Sequence, residues 1–126
     1  DNGQTWEQPV KSQSLVTGMG KVWGQRLRDD RYVLVYDPHE KIRFPLVLLT
    51  SKDGVTFSGP PRVVHGELPT THYPGKNKSP GASYVRGLSM WSDDGSRGQD
   101  AIWLLYSVNK EEIWLSRVPL SIFSGE

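Results

Sequence analysis

Side chains able to do chemistry are densest between Gly66 and Ser83, a stretch rich in Pro, Gly, Thr, Lys and Tyr that carries Glu67, His72, Tyr73, Lys76 and Lys78. A phenol set beside cations can have its pKa lowered enough to serve as nucleophile or acid/base, which makes Tyr73, with Glu67 and His72, the candidate catalytic group. Lys21, Gln25, Arg26, Lys76, Arg86, Asn109 and Lys110 are the candidates for binding substrate, and His39, Glu40, Arg43, Glu111 and Tyr84 stand beside them. Such a set suits an acidic sugar, because Arg pairs bidentately with carboxylates while aromatic rings stack on pyranose faces.

Each candidate has a plainer alternative. Gly24 and Gly87 would let a ligand approach the backbone near Arg26 and Arg86, yet either Arg could equally make an ion pair between sheets. Trp23, Trp91, Trp103 and Trp114 fit sheet-to-sheet packing as well as sugar platforms, and Tyr73 could simply anchor its loop. His39, His65 and His72 have no metal-ligand spacing and no Cys to join them. No metal and no cofactor is therefore expected.

Composition removes several function classes. The 126 residues carry a net charge of +1 and no run of adjacent Lys or Arg longer than two, so electrostatic capture of nucleic acid or an anionic membrane is not expected. No stretch approaches the roughly 20 apolar residues of a membrane span. Zero Cys excludes disulfides and thiolate metal sites and leaves the compartment open.

Strand signals position these side chains, and helix signals are nearly absent. Lys21 to Arg26, Arg31 to Tyr36, Phe44 to Thr50 and Arg62 to His65 are apolar, β-branched or aromatic runs broken by Asp29-Asp30, Asp37-Pro38 and Asp53-Gly54. Tyr84 to Trp91, Ala101 to Val108 and Glu112 to Val118 form a second group, with Asn109-Lys110-Glu111 as a turn. A further strand is expected around Trp6 to Lys11. The near-continuous apolar runs point to sheets covered on both faces. Residues 66–83 are left as a loop longer than the usual limit of about 12–15 residues, a length that marks function or disorder.

Two short segments recur. Asp1-Asn2-Gly3-Gln4-Thr5-Trp6 and Ser51-Lys52-Asp53-Gly54-Val55-Thr56-Phe57 each combine a short acid that accepts backbone hydrogen bonds, a Gly that tolerates positive φ and an aromatic that can fold back over the loop. Asp1 and Asp53 are 52 residues apart, near the length of a four-stranded sheet with its loops. Ser92-Asp93-Asp94-Gly95 lacks the Thr-aromatic pair and reads as an ordinary turn.

These corners resemble the Asp-box of sialidase-like β-propellers, through Asp1, Gly3 and Trp6 in one copy and Ser51, Asp53, Gly54 and Phe57 in the other. The wording Gly20-Lys21-Val22-Trp23-Gly24-Gln25-Arg26, Tyr84-Val85-Arg86-Gly87 and Tyr106-Ser107-Val108-Asn109-Lys110-Glu111-Glu112-Ile113-Trp114 is similar to that of secreted bacterial exo-α-sialidase-like proteins. The resemblance implies an all-β chain of about two four-stranded antiparallel blades, part of one propeller domain. Residues 1–20 would be the last strand of a preceding blade with its linker, 21–65 a full blade, 66–83 a long site loop, 84–118 three strands of a final blade and 119–126 a tail. The chain would be a C-terminal fragment, its remaining blades coming from the longer parent or from identical chains, three copies making a six-bladed ring.

In such blades the Asp-box corners share one end with the turn between strands one and two, and sites gather at the other end, beside the innermost strand. The Asp-boxes are then structural. Sialidases hold the substrate carboxylate with three Arg and attack with a Tyr assisted by a Glu. By resemblance Arg26 and Arg86 would be two of those Arg, and Tyr73 or Tyr106 the nucleophile. The expected function is a sialidase-like glycoside hydrolase acting on acidic oligosaccharides or polysaccharides, secreted or periplasmic, with this span inactive by itself. A propeller lyase acting on uronate polysaccharides, and a non-catalytic glycan- or protein-binding module, remain alternatives.

Overall fold

A computed structural model describes residues 3–17, 20–88 and 100–123. The chain is all-β, with two antiparallel sheets that stand as consecutive propeller blades. The first runs in the order β1 (Trp23–Arg26), β2 (Tyr32–Tyr36), β3 (Leu46–Ser51) and β4 (Arg62–His65). The second comprises β5 (Ala82–Leu88), β6 (Ala101–Val108) and β7 (Glu112–Pro119), followed by a short 3-10 turn over Leu120–Phe123. Each strand pairs with its sequence neighbour, so both sheets are up-and-down meanders.

The apolar runs are explained by burial on two faces. Val33 and Val35 of β2 with Leu46 and Leu48 of β3 face the second sheet, where they meet Val85, Ile102, Leu104, Tyr106 and Val108 in one core. The alternate residues Tyr36, Val47 and Leu49 face the other way and are covered by Leu15, Leu34 and Phe57. Burying both sides of β3 removes the alternation of a half-solvated strand. Among the described residues the second sheet is covered on one side only. Leu105 and Leu115 lie opposite each other on its outer face, and Leu115 is 61% exposed.

The innermost strands β1 and β5 run side by side at the seam between the sheets. A side-chain atom added to Gly87 would fall 2.3 Å from the Trp23 indole, so the ring occupies the room the glycine leaves. That space belongs to sheet packing and is closed to a ligand. Tyr106 is likewise sealed in the seam, 1% exposed, its hydroxyl 2.7 Å from Ser116 Oγ and 3.3 Å from His65 Nδ1.

The corner after β3 is built from its side chains. Asp53 Oδ1 accepts from the backbone N–H of Val55 at 2.9 Å and of Thr56 at 2.7 Å, while Ser51 Oγ accepts from Gly54 N–H at 2.9 Å and donates to Asp53 at 2.8 Å. Gly54 takes φ of 75°, a left-handed geometry that glycine adopts without strain. Phe57 then folds onto the second face of the sheet.

The other corner is only half comparable. Asp1 and Asn2 lie outside the described residues; Trp6 does turn back, its indole N–H donating to Gly3 C=O at 3.0 Å, but the ring is 87% exposed. No strand forms between Trp6 and Lys11, contrary to the expectation for that stretch. The β-propensity of this segment has no neighbouring ladder to satisfy, and an isolated strand leaves its backbone groups to water. Trp91 and the Ser92-Asp93-Asp94-Gly95 turn fall outside the described residues. No helix among the described residues is long and apolar enough to cross a membrane.

Candidate functional site

The connections β2–β3 and β6–β7 and the two segments leading into β1 and β5 lie at the same end of the sheets, away from the Asp53 corner. This follows from the meander: each strand reverses direction, so alternate connections share an end. Gly81 is where they lock. Its φ is 99°, it bridges to Arg43, and an added Cβ would sit 2.0 Å from the Arg43 carbonyl oxygen, so only glycine lets the two backbones meet.

Three residues on, Tyr84 has φ of 59°, rare for a bulky side chain. It sits in a β-bulge: Ser83 pairs with Ser107 and Arg86 with Leu105, so Tyr84 and Val85 together oppose Tyr106. The bulge buries Val85 in the core and turns the Tyr84 ring outward. Around that ring stand Arg43, 5.4 Å from its centre, Lys21 at 5.8 Å and Lys110 at 6.0 Å. The phenol's pKa is lowered, first by a hydrogen bond from Arg43 and then by the Lys110 charge. Three cations drawn from three separate connections thus surround one ionisable ring. Such a cluster favours a bound anion and favours the phenolate over the phenol.

The loop between β4 and β5 is tied to the β6–β7 turn by consecutive residues of that turn. Asn109 and Lys110 take φ of 54° and 56°, a left-handed pair at the centre of the three-residue β6–β7 connection, closed by Glu111 N–H donating to Val108 C=O at 3.0 Å. The buried Asn109 amide donates to Pro69 C=O at 2.8 Å and accepts from Gly81 N–H at 2.9 Å. Lys110 donates its ammonium to Asn77 C=O. The Glu111 carboxylate accepts from His72 N–H at 2.9 Å, from Tyr73 N–H at 2.8 Å and from the Lys78 ammonium. These bonds hold its pKa down to about 2, the His72 N–H first and Lys78 next.

The expected site residues therefore divide. Lys21 and Lys110 are brought together. Asn109 lies beside them with both ends of its amide committed to backbone. His72 and Tyr73 are fixed through their main chain with exposed rings, Tyr73 being 67% exposed and its ring 5.5 Å from the Lys78 ammonium. Glu67 and Lys76 are exposed on the same loop, and Gln25 is half-buried in β1. Arg26 lies at the far end of β1, its guanidinium 2.7 Å from Asp30 and 5.8 Å from the Tyr32 ring centre. Arg86 pairs with Leu105 and is exposed on the outer face of the second sheet. Tyr73, Lys76 and Arg86 are all exposed, and Tyr73 anchors its loop through its main chain rather than through a buried ring.

Sequence reasoning named Tyr84 and Arg43 without seeing that they form the centre. The available signal was the pairing of Gly81 with a Tyr three residues later on an inner strand. Among the described residues no group of three or more His, Asp or Glu is placed to hold a metal ion. A cavity of about 480 Å³ lies at the other end of the molecule, between Leu48, Ser51, Arg62 and Phe123, and none of the expected catalytic or substrate-binding residues lines it.

Comparison with known proteins agrees with the fold and its arrangement. A solved structure described as "Sialidase" superimposes with a TM-score of 0.79 at 39% sequence identity over 95% of this chain. The chain spans 11% of that structure's length. No protein-family model and no curated protein matches the chain. The two blades thus have a sialidase-like fold.

Proposed function

We propose that the chain is part of a glycoside hydrolase of sialidase-like type acting on acidic glycans, and that the Tyr84 cluster is where the acidic group binds. The observation that carries this reading is the convergence of Lys21, Arg43 and Lys110 on one outward-turned phenol. A carboxylate entering there meets cations already held in place, which reduces the ordering cost of binding. The similarity to a sialidase supports hydrolysis as the chemistry. Tyr84 takes over from Tyr73 as the residue whose ionisation serves the reaction, and His72, Tyr73 and Glu67 form the rim. A secreted or periplasmic location rests on the resemblance alone. The remaining groups of the site come from further blades, supplied by a longer chain or by other copies.

A second reading, elimination from a uronate polysaccharide, draws on the same lowered pKa, since a phenolate is also a base for the proton beside a uronate carboxylate. Calorimetric titration of the chain with glucuronate and N-acetylneuraminate tests the site. Binding that is lost in Arg43→Met and in Lys110→Met supports it, and equal affinity in both variants would overturn it. Product analysis with the complete propeller then separates the chemistries: both leave a new reducing end, but a saturated, hydroxyl-bearing partner fragment marks hydrolysis, and an ultraviolet-absorbing unsaturated uronide marks elimination.

A further inference from the structure

We infer that Glu111 is a positioning residue for the Tyr84 cluster: its carboxylate holds the β4–β5 loop where Asn77 can anchor Lys110 over the ring. The inference rests on reading that cluster as the acid-binding site, and it adds a residue that touches neither the ring nor any ligand.

The chain of contacts is continuous. Glu111 binds the main chain at His72 and Tyr73 and the ammonium of Lys78, gripping the loop on both sides of Asn77. Lys78 also donates to Tyr73 C=O at 2.8 Å, and its N–H closes a turn onto Gly75 C=O at 3.2 Å, so the segment between the two grips has a defined shape. Asn77 C=O, inside that segment, receives the Lys110 ammonium, and Lys110 lies over Tyr84. A lysine side chain has several rotatable bonds and a large rotamer entropy, so without a fixed acceptor it would spend little time at one place. The Glu111 side chain is itself only 5% exposed, which shields the three-fold grip from competing water.

A purely structural role for Glu111 makes a different prediction from a positioning role, because the two act on Tyr84 with opposite sign. Removing a negative charge near the cluster, with nothing else moved, favours the phenolate and lowers the midpoint of Tyr84 ionisation. Releasing Lys110 withdraws a cation from the phenolate and raises it.

The test is an ultraviolet titration of phenolate absorbance in the wild-type chain and Glu111→Gln, each with a Tyr84→Phe partner to isolate the Tyr84 signal. The expected result is an upward shift in Glu111→Gln, a similar shift in Lys110→Met, and no further upward shift when the two are combined. No shift, a downward shift, or an upward shift that persists in the Lys110→Met background would overturn the inference. Should Glu111→Gln fail to fold, Lys78→Met breaks the ion pair while sparing both backbone bonds, and a smaller upward shift is then required. Glucuronate binding, expected to weaken several-fold in Glu111→Gln, is read separately. If the wild-type chain binds neither glucuronate nor N-acetylneuraminate, the functional reading fails while the Tyr84 titration still decides the role of Glu111.

Discussion

The Trp23 indole lies in the space that any side chain at position 87 would require, and the closest approach for an added Cβ is 2.3 Å. This contact joins the innermost strands of the two sheets, so Gly87→Ala is expected to push the indole out of its seat and lower stability by about 1–3 kcal/mol, the usual cost of overpacking. A thermal melt with unchanged Tm would show that the two strands are not in contact.

Tyr106→Phe removes a hydroxyl shared by Ser116 and His65 in the seam. The residue is almost wholly buried, and its former partners would be left without water to replace the bond, so a loss of about 1–3 kcal/mol is expected in denaturant unfolding. A neutral result would mean that the seam admits solvent.

Arg43→Met is expected to raise the ionisation midpoint of Tyr84, because the Arg43 hydrogen bond is the largest influence holding it down and Lys110 the second. The phenol is an acid whose charged form gains the partner, so losing Arg43 must move the midpoint upward. Phenolate absorbance identical to wild type would contradict the geometry.

Both clamping carboxylates have depressed pKa values, Asp53 below its ordinary 3.8 and Glu111 falling from 4.5 to about 2. A depressed carboxyl group contributes stability that is complete above its unfolded value and is lost as pH falls toward the folded one. The amides of His72 and Tyr73 should therefore resist hydrogen exchange above about pH 4.5 and lose that protection between pH 4.5 and 2. Glu111→Gln should abolish the pH dependence. Protection that is flat across this range in the wild type would remove Glu111 as the loop's clamp. Asp53→Ala should lower the Tm at neutral pH, with the gap to wild type closing in acid, and a gap that stays constant would exclude the carboxylate as the source.

The strands were largely legible because their signal is local. Arg62 to His65 and Ala101 to Val108 carry β-branched and apolar residues up to a turn, and both strands end where those residues do. β5 begins at Ala82, ahead of the aromatic that suggested its start, because Ala82 and Ser83 join by pairing with Val108 and Ser107. Trp6 to Lys11 failed for the converse reason: propensity without a partner makes no strand. The site was legible as a list of side chains and illegible as a geometry. Arg26 and Lys21 lie five positions apart, yet β1 carries them to opposite ends of the sheet. Glu111 meets Tyr73 across a separation of 38 residues, a meeting that no spacing rule within either segment encodes.

The single-sided burial of the second sheet sets the conditions under which the chain can be handled. Among the described residues nothing pairs with the outer rim of β7, eight residues long, and Ile113 and Leu115 project from it into water. A bare rim of that length is a template for another chain's backbone, so self-association should grow with protein concentration and fall when Leu115 is replaced by Lys. The binding titrations proposed above therefore belong in dilute solution, where association between copies does not compete with the added ligand.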